Sequence, residues 1–389
     1  MTLLHGNMLI AHGGGPTPVI NSSLQGAIEE AKIHKEINHI YGARFGVEGI
    51  LAEDLMLLDN YSDSTVALLS QTPASVLGSC RRKLNENDYP KILECFKKFN
   101  IRYFFYNGGN DSMDTCHKID KMADASGYEM KVIGIPKTID NDLEGTDHSP
   151  GFGSAAKYAA VSTVELAQDA AALPIHVVVM ELMGRNAGWI TAASALYKDK
   201  MPCEHLIYLP ELLLDTEKFL NDVKKHFSMN KGLLITVSEG LKYTDGSPVG
   251  DSGIRDGFGH IVPGGTAQAL ASLIMRETSL KSRAEKPGLL GRVSISNQSV
   301  IDKEEAYEAG AFAVRSSVMG KSGYMVAIEA IRVPEYSSKM TLVPLSEVAN
   351  KEKKFPLSWI NSSQNGVTDD FINYLKPLVG SMAPEYAVF

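Results

Sequence analysis

The sequence predicts an α/β protein of two similar lobes, each with a mainly parallel sheet covered by helices, and an active site in the cleft between them. Three observations predict it. Short apolar stretches recur, each followed by glycine or polar residues and then by a helical pattern; such β/α alternation builds parallel sheets. Two of these units precede residue 150 and two follow about residue 170, which separates two lobes. At 389 residues the chain is long enough for two ordinary domains.

The elements follow in order. Met8–Ala11 is a strand that leads into Gly13–Thr17 (Gly-Gly-Gly-Pro-Thr). Ile20–Lys35 reads as a helix with Ile20, Leu24, Ile28 and Ala31 on one face and Asn21 or Ser22 as its cap. Arg102–Tyr106 leads into Asn107–Asp111 (Asn-Gly-Gly-Asn-Asp) and a helix over Ser112–Met122. Lys131–Ile135 is a buried strand ended by Pro136. Ser154–Ala172 is a long helix joining the lobes. Ile175–Met180 leads into Glu181–Asn186 and an alanine-rich helix, Ala187–Leu196, and Gly232–Val237 leads into Ser238–Gly240. A last apolar strand, Gly323–Glu329, crosses back to the first lobe. The expected domains are residues 1–153, with a tail of about 320–389 packing on them, and residues 154–320.

Composition excludes several classes. Apolar residues make up 44% and charged residues 22%, values of a folded globular protein rather than a disordered one. A net charge of −8 argues against a general nucleic-acid or acidic-membrane binder, while a local basic pocket still accommodates anionic substrates. Cys80, Cys95, Cys116 and Cys203 form no C-x-x-C pair, so they read as reduced structural thiols. Met1–Ala11 lacks the basic start and long apolar run of a signal peptide, and no run reaches the roughly 18 apolar residues of a membrane span. These features point to the cytoplasm.

The most informative stretch is Gly134–Leu143 (Gly-Ile-Pro-Lys-Thr-Ile-Asp-Asn-Asp-Leu). It sets Lys137, Thr138, Asp140 and Asp142 at the exit of a strand, where open α/β sheets bind ligands. One carboxylate can take a proton from a hydroxyl nucleophile while the lysine neutralises phosphate, which suits phosphoryl transfer. The same residues also suit a turn. Gly14 and Gly15, before a helix, fit an anion-binding turn. Gly109 allows close backbone approach to a phosphate, and Asn110 and Asp111 supply oxygen ligands of the type Mg2+ accepts; a helix-capping Asx turn is the plain alternative. Arg185, in Met183-Gly184-Arg185, fits phosphate or sugar hydroxyls, and Glu239 can accept from sugar hydroxyls. Arg81, in Arg81-Arg82-Lys83, is either part of a solvated run or the wall of a polyphosphate pocket.

Together these motifs resemble the phosphofructokinase family over most of the chain, from Gly13 to about Gly323. Gly13–Asn21 looks like its phosphoryl-donor loop, Leu77–Arg81 like its second donor loop, and Lys137–Asp142 like its catalytic signature. Met183-Gly184-Arg185 and Glu239-Gly240 look like its sugar-phosphate contacts. The resemblance implies Asp140 as general base for the C1 hydroxyl of fructose 6-phosphate, with Thr138 and Asp142 on the same substrate and Mg2+ near Asn110 and Asp111. It also implies a homodimer or homotetramer. ATP-using relatives carry glycine at positions 111 and 137; here Asp111 crowds and repels the α-phosphate of a nucleotide, and Lys137 stabilises a leaving phosphate. That resembles the pyrophosphate-dependent branch, with fructose 6-phosphate and pyrophosphate as partners.

Four positions depart from the family pattern. The usual metal-linked aspartate is Asn110. Arginines common in the Gly259–Gly265 segment and before Val177 are Pro263 and His176. A Tyr-x-x-Arg motif reads Leu289-Leu-Gly-Arg292, which leaves Arg292 as the expected 6-phosphate contact, with Lys321, Arg315 and His260 as substitutes. The alternatives are an ATP-dependent 6-phosphofructokinase, a kinase of another type with a similar glycine loop, and a non-catalytic sugar-phosphate-binding regulatory subunit.

Overall fold

The computed structural model describes residues 4–174, 176–228, 231–255, 261–263, 265–381 and 386–387. Its strands are β1 Gly6–His12, β2 Ile37–Ala43, β3 Leu55–Leu57, β4 Ile101–Gly108, β5 Lys131–Pro136, β6 His176–Leu182 and β7 Glu204–Tyr208. They continue with β8 Leu233–Ser238, β9 Asp251–Arg255, β10 Ile261–Pro263, β11 Lys281–Glu285, β12 Tyr324–Ile331 and β13 Ser337–Pro344. The chain divides into two compact units, residues 1–154 with 292–353, and residues 155–291 with 354–389.

The first unit is built on a sheet in the order β13-β12-β5-β4-β1-β2-β3, parallel except for the two edge strands. Its central strands are continuous apolar runs because both faces are covered. Leu9, Phe104 and Val132 face one core, while Met8, Ile10, Phe105 and Ile133 face the other, as expected for a doubly covered parallel sheet. The chain leaves β1 toward β2 on one side, and β4 lies on the other, so the ends of β1 and β4 form a topological switch point.

The second unit holds the parallel sheet β11-β6-β8-β7. It also gathers a ring cluster around Trp189, with centroids 5.0 Å from Phe355, 5.9 Å from Trp359, 6.4 Å from Phe371 and 5.7 Å from Tyr374.

Several boundaries differ from the sequence reading, each for a local reason. Residues 292–320 join the first unit because the helix Val300–Val318 lies directly on the helix Ile20–Ala31. A Cβ added at Gly26 would stand 2.0 Å from Tyr307 O, and one at Gly310 would stand 1.9 Å from Ser23 O, so only glycine permits this approach. Residues 354–389 join the second unit through Phe355, Trp359, Phe371 and Tyr374. Asn21 does not cap its helix; its Nδ2 donates to Thr72 O and Ala74 O at 2.8 Å, and the N-cap is Val19. The alanine-rich helix is only Trp189–Ala193, and the Ser194 hydroxyl beyond it bonds Thr191 O and Thr236 Oγ1. Among the described residues, no helix is long and apolar enough to cross a membrane.

Both tryptophans of the chain sit in the ring cluster, so their emission reports on it. Phe371 is fully buried there, and Phe371→Ala is expected to cost about 3–5 kcal/mol of stability and to red-shift the emission. Denaturant unfolding followed by tryptophan fluorescence checks this; a loss under about 1 kcal/mol contradicts it.

Candidate active site

Because β5, β4 and β1 are neighbours, the segments that leave their C-terminal ends emerge side by side. These are Lys137–Asp142, Gly109–Asp111 and Gly13–Thr17, the stretches singled out in the sequence. Lys137 is 3% exposed, and its Nζ donates to Gly13 O at 2.7 Å and to Gly15 O at 2.5 Å. Gly14 between them has φ 76° and already lies 3.4 Å from Nζ at its missing Cβ. Burial pushes the lysine pKa down to about 7; the Asp140 carboxylate opposes this, and the Arg292 and Arg81 guanidiniums add to it. An anion arriving here favours the charged form.

The second donor segment is stitched to the first. Gly14 N–H donates to Cys80 O at 3.0 Å, and the Ser79 hydroxyl donates to Gly14 O at 2.6 Å. A Cβ at Gly15 would stand 2.8 Å from Arg292 Nη1 and 3.7 Å from Arg81 Nη2, so both guanidiniums flank that glycine. Beneath the loop, His12 is fully buried with Nδ1 2.7 Å from Ser75 Oγ. Burial, aided by the charge of Lys137, lowers its pKa to about 3 and keeps it neutral.

The carboxylates differ in environment. Asp140 is half-buried, and its backbone N–H donates to Thr138 Oγ1 at 3.1 Å. At Asp142, burial raises the pKa, with the Thr138 hydroxyl opposing, and Asn110 Nδ2 donates to its Oδ2 at 3.2 Å. Asn110 Oδ1 and Asp142 Oδ1 are buried with no hydrogen-bond partner among the described residues. Among the described residues no group of three or more His, Cys, Asp or Glu side chains could hold a metal ion, but an oxygen such as Asn110 Oδ1 is of the type a hard divalent cation accepts. Asp111 is in the first turn of the helix Asn110–Ala125, exposed, 4.0 Å from Lys83 Nζ.

In the second unit, the pairing of β6 with β8 brings Met183-Gly184-Arg185 and Glu239 to the C-terminal end of the sheet. Gly184 N–H donates to Glu239 Oε1 at 3.4 Å, and Glu239 N–H donates to Leu182 O at 3.0 Å. Arg185 is exposed, whereas His176 at the start of β6 is buried. Much of the Gly259–Gly265 segment, including His260, lies outside the described residues. Sequence reasoning missed His12 and Lys353, and gave Ser79 no role of its own within Leu77–Arg81. His12 flanks a recognised glycine, but Lys353 lies 212 positions from its partner Asn141 and carries no local signal.

Comparison with known proteins follows the same lines. The family model described as Phosphofructokinase matches residues 7–316. The chain is 39% identical over 383 residues to the pyrophosphate–fructose 6-phosphate 1-phosphotransferase of Halomonas elongata, covering 96% of this chain and 91% of that one. It is 40% identical over 392 residues to the protein of the same name from Methylococcus capsulatus, covering 98% and 93%. The crystal structure of a pyrophosphate-dependent phosphofructokinase from Nitrosospira multiformis superposes with a TM-score of 0.88 at 40% identity, over 98% of this chain and 94% of that one.

Lys137 gives a pH signature that needs no ligand. Its ordinary pKa is 10.5 and the fold holds it at about 7, so between those values the unfolded chain binds more protons than the folded one. The penalty of the buried charge is full below about pH 7 and is relieved as pH rises toward the unfolded value. The melting temperature of Lys137→Met relative to wild type is therefore expected to be most favourable near about pH 6 and to decline toward about pH 9.5. A pH-independent difference overturns this.

Proposed function

The chain belongs to the phosphofructokinase family, and from that premise we propose that it moves a phosphoryl group from pyrophosphate to the C1 hydroxyl of fructose 6-phosphate, reversibly, as a step of glycolysis. The products are fructose 1,6-bisphosphate and phosphate. One observation carries the choice of donor: a buried lysine, Lys137, seated on the carbonyls of the glycine loop with Arg81 and Arg292 beside it. A compact polyanion matches that arrangement.

Asp140 takes the proton of the C1 hydroxyl, and the oxygen attacks the near phosphorus of pyrophosphate. The bridging P–O bond breaks, and the departing phosphate keeps the electron pair beside Lys137. Gly14, Gly15 and Gly109 let backbone approach the donor, with Arg81 at its side. Thr138 and Asp142 hold the sugar end, and Met183, Gly184, Arg185 and Glu239 are the sugar-phosphate contacts that the family resemblance implies. Arg292 flanks Gly15 in the first unit, which favours the donor over the 6-phosphate as its ligand. Asn110 and Asp111 would hold a divalent cation, Mg2+, which neutralises phosphate charge when bound. The buried, unpartnered Asn110 Oδ1 supports that assignment. Cys95, Cys116 and Cys203 are buried free thiols, in keeping with a cytoplasmic enzyme, and the family resemblance carries the homodimer or homotetramer.

Asp140→Asn keeps the shape and removes the base. It is expected to lower kcat by about 10²–10⁴-fold with smaller changes in substrate affinity; near-normal turnover rejects the assignment.

The donor is checked by assaying the enzyme with fructose 6-phosphate, Mg2+ and either pyrophosphate or ATP at equal concentration. Little ATP-driven turnover is expected from wild type, and some from Asp111→Gly at the expense of the pyrophosphate reaction. Preference of the wild type for ATP defeats the choice of donor.

A further inference from the structure

Asn141–Pro150 contains no helix or strand, yet Asp140 and Asp142 must point in fixed directions for the reaction proposed above. Asn141 stands between them, fully buried, with φ 53° in the left-handed region that a non-glycine residue adopts at a cost. Its side chain is fixed from two directions. Oδ1 accepts the Ser149 N–H at 3.0 Å and Lys353 Nζ at 3.3 Å.

Lys353 does more than meet Asn141. Its Nζ also donates to Asp147 O at 2.9 Å and Thr146 O at 3.3 Å, and its backbone N–H donates to Asp142 O at 2.8 Å. A tetrahedral ammonium has three N–H donors, and here they meet three oxygens on successive parts of one loop. We propose that Lys353 is a positioning residue for phosphoryl transfer, locking Asn141 in its left-handed conformation and thereby aiming Asp140 and Asp142. The inference rests on the reading of Asp140 as the base. It assigns Lys353 no contact with substrate: its role is to hold the loop through Asn141, Thr146 and Asp147.

The test compares wild type, Lys353→Met, Asn141→Gly and the double variant by pyrophosphate-dependent kinetics, with thermal melting as the folding control. Glycine tolerates a positive φ, so Asn141→Gly keeps the backbone conformation and removes the side-chain bonds to Lys353 and Ser149. Each single variant is expected to lose about 10–10²-fold in kcat while KM for both substrates stays within about threefold. The double variant is expected to be no worse than the poorer single, since both cut one link. A Lys353→Met enzyme with wild-type kcat, or two losses that multiply, overturns the proposal. If Lys353→Met does not fold, Asn141→Gly carries the test: the same loss supports the proposal and wild-type kcat overturns it. A wild type that turns over pyrophosphate while Lys353→Met matches it defeats the positioning role alone. A wild type without pyrophosphate-dependent turnover defeats the functional reading, and the proposal with it.

Discussion

An ammonium group withdrawn from water needs oxygen partners in its place, and Lys137 finds them in the carbonyls of Gly13 and Gly15. Much of the first unit follows from that requirement. β1 and β5 must flank β4 so that the lysine reaches the glycine loop. Gly14 must turn without a Cβ, and His12 directly below must stay neutral. Arg81 and Arg292 crowd the same loop and make the lysine harder to charge. Preorganised positive charge of this kind costs stability in the empty protein and is repaid when a polyanion binds.

The loop behind the carboxylates is held by a second set of buried charges. Burial disfavours a charged His148, but Glu305 at 2.6 Å from its Nε2 and Asp147 at 2.9 Å from its Nδ1 outweigh this and raise its pKa to about 9. Arg332 grips Asp147 with two bonds of 2.7 Å, and the Tyr336 hydroxyl donates to Glu305. Asp302 accepts the N–H groups of Gly151 and Ser154 at 2.8 Å each. Removing one partner of such a set strands the others in a dry interior, so these groups act more as a fixed geometry than as a net source of stability. Lys353 closes the set on the side of Asn141.

The alternation of apolar strands with glycine-rich exits was legible because strands covered on both faces are continuous apolar runs, as Tyr103–Tyr106 and Val177–Met180 are. The strand-exit motifs were legible for the same reason: strand ends fix where the next residues emerge. What sequence could not supply depends on distant partners. Asn21 looked like a cap, but its amide serves the Thr72–Ala74 turn. Arg292 was read by motif, and its position beside Gly15 follows from tertiary packing. The split of the C-terminal region between the units turns on Gly26 and Gly310 for the helix Val300–Val318 and on the Trp189 rings for residues 354–389. Neither pairing leaves a periodic trace.

The first unit is discontinuous, with residues 155–291 inserted between its two parts, and this bears on how the chain is made. Synthesis delivers Lys137–Asp142 well before β12, whose pairs Tyr324↔Ile133 and Met325↔Gly134 extend the sheet beside β5. Glu305 arrives shortly before β12, and Arg332 and Lys353 follow it. A nascent chain halted near residue 291 thus carries this loop unbraced, with the edge of β5 open to other strands. Domains tend to fold as units during translation, but here each unit waits for later chain: the first for residues 292–353 and the second for residues 354–389. The bonds from Arg332 and Lys353 that fix the Asn141–Pro150 loop are accordingly among the last of the first unit to form during synthesis.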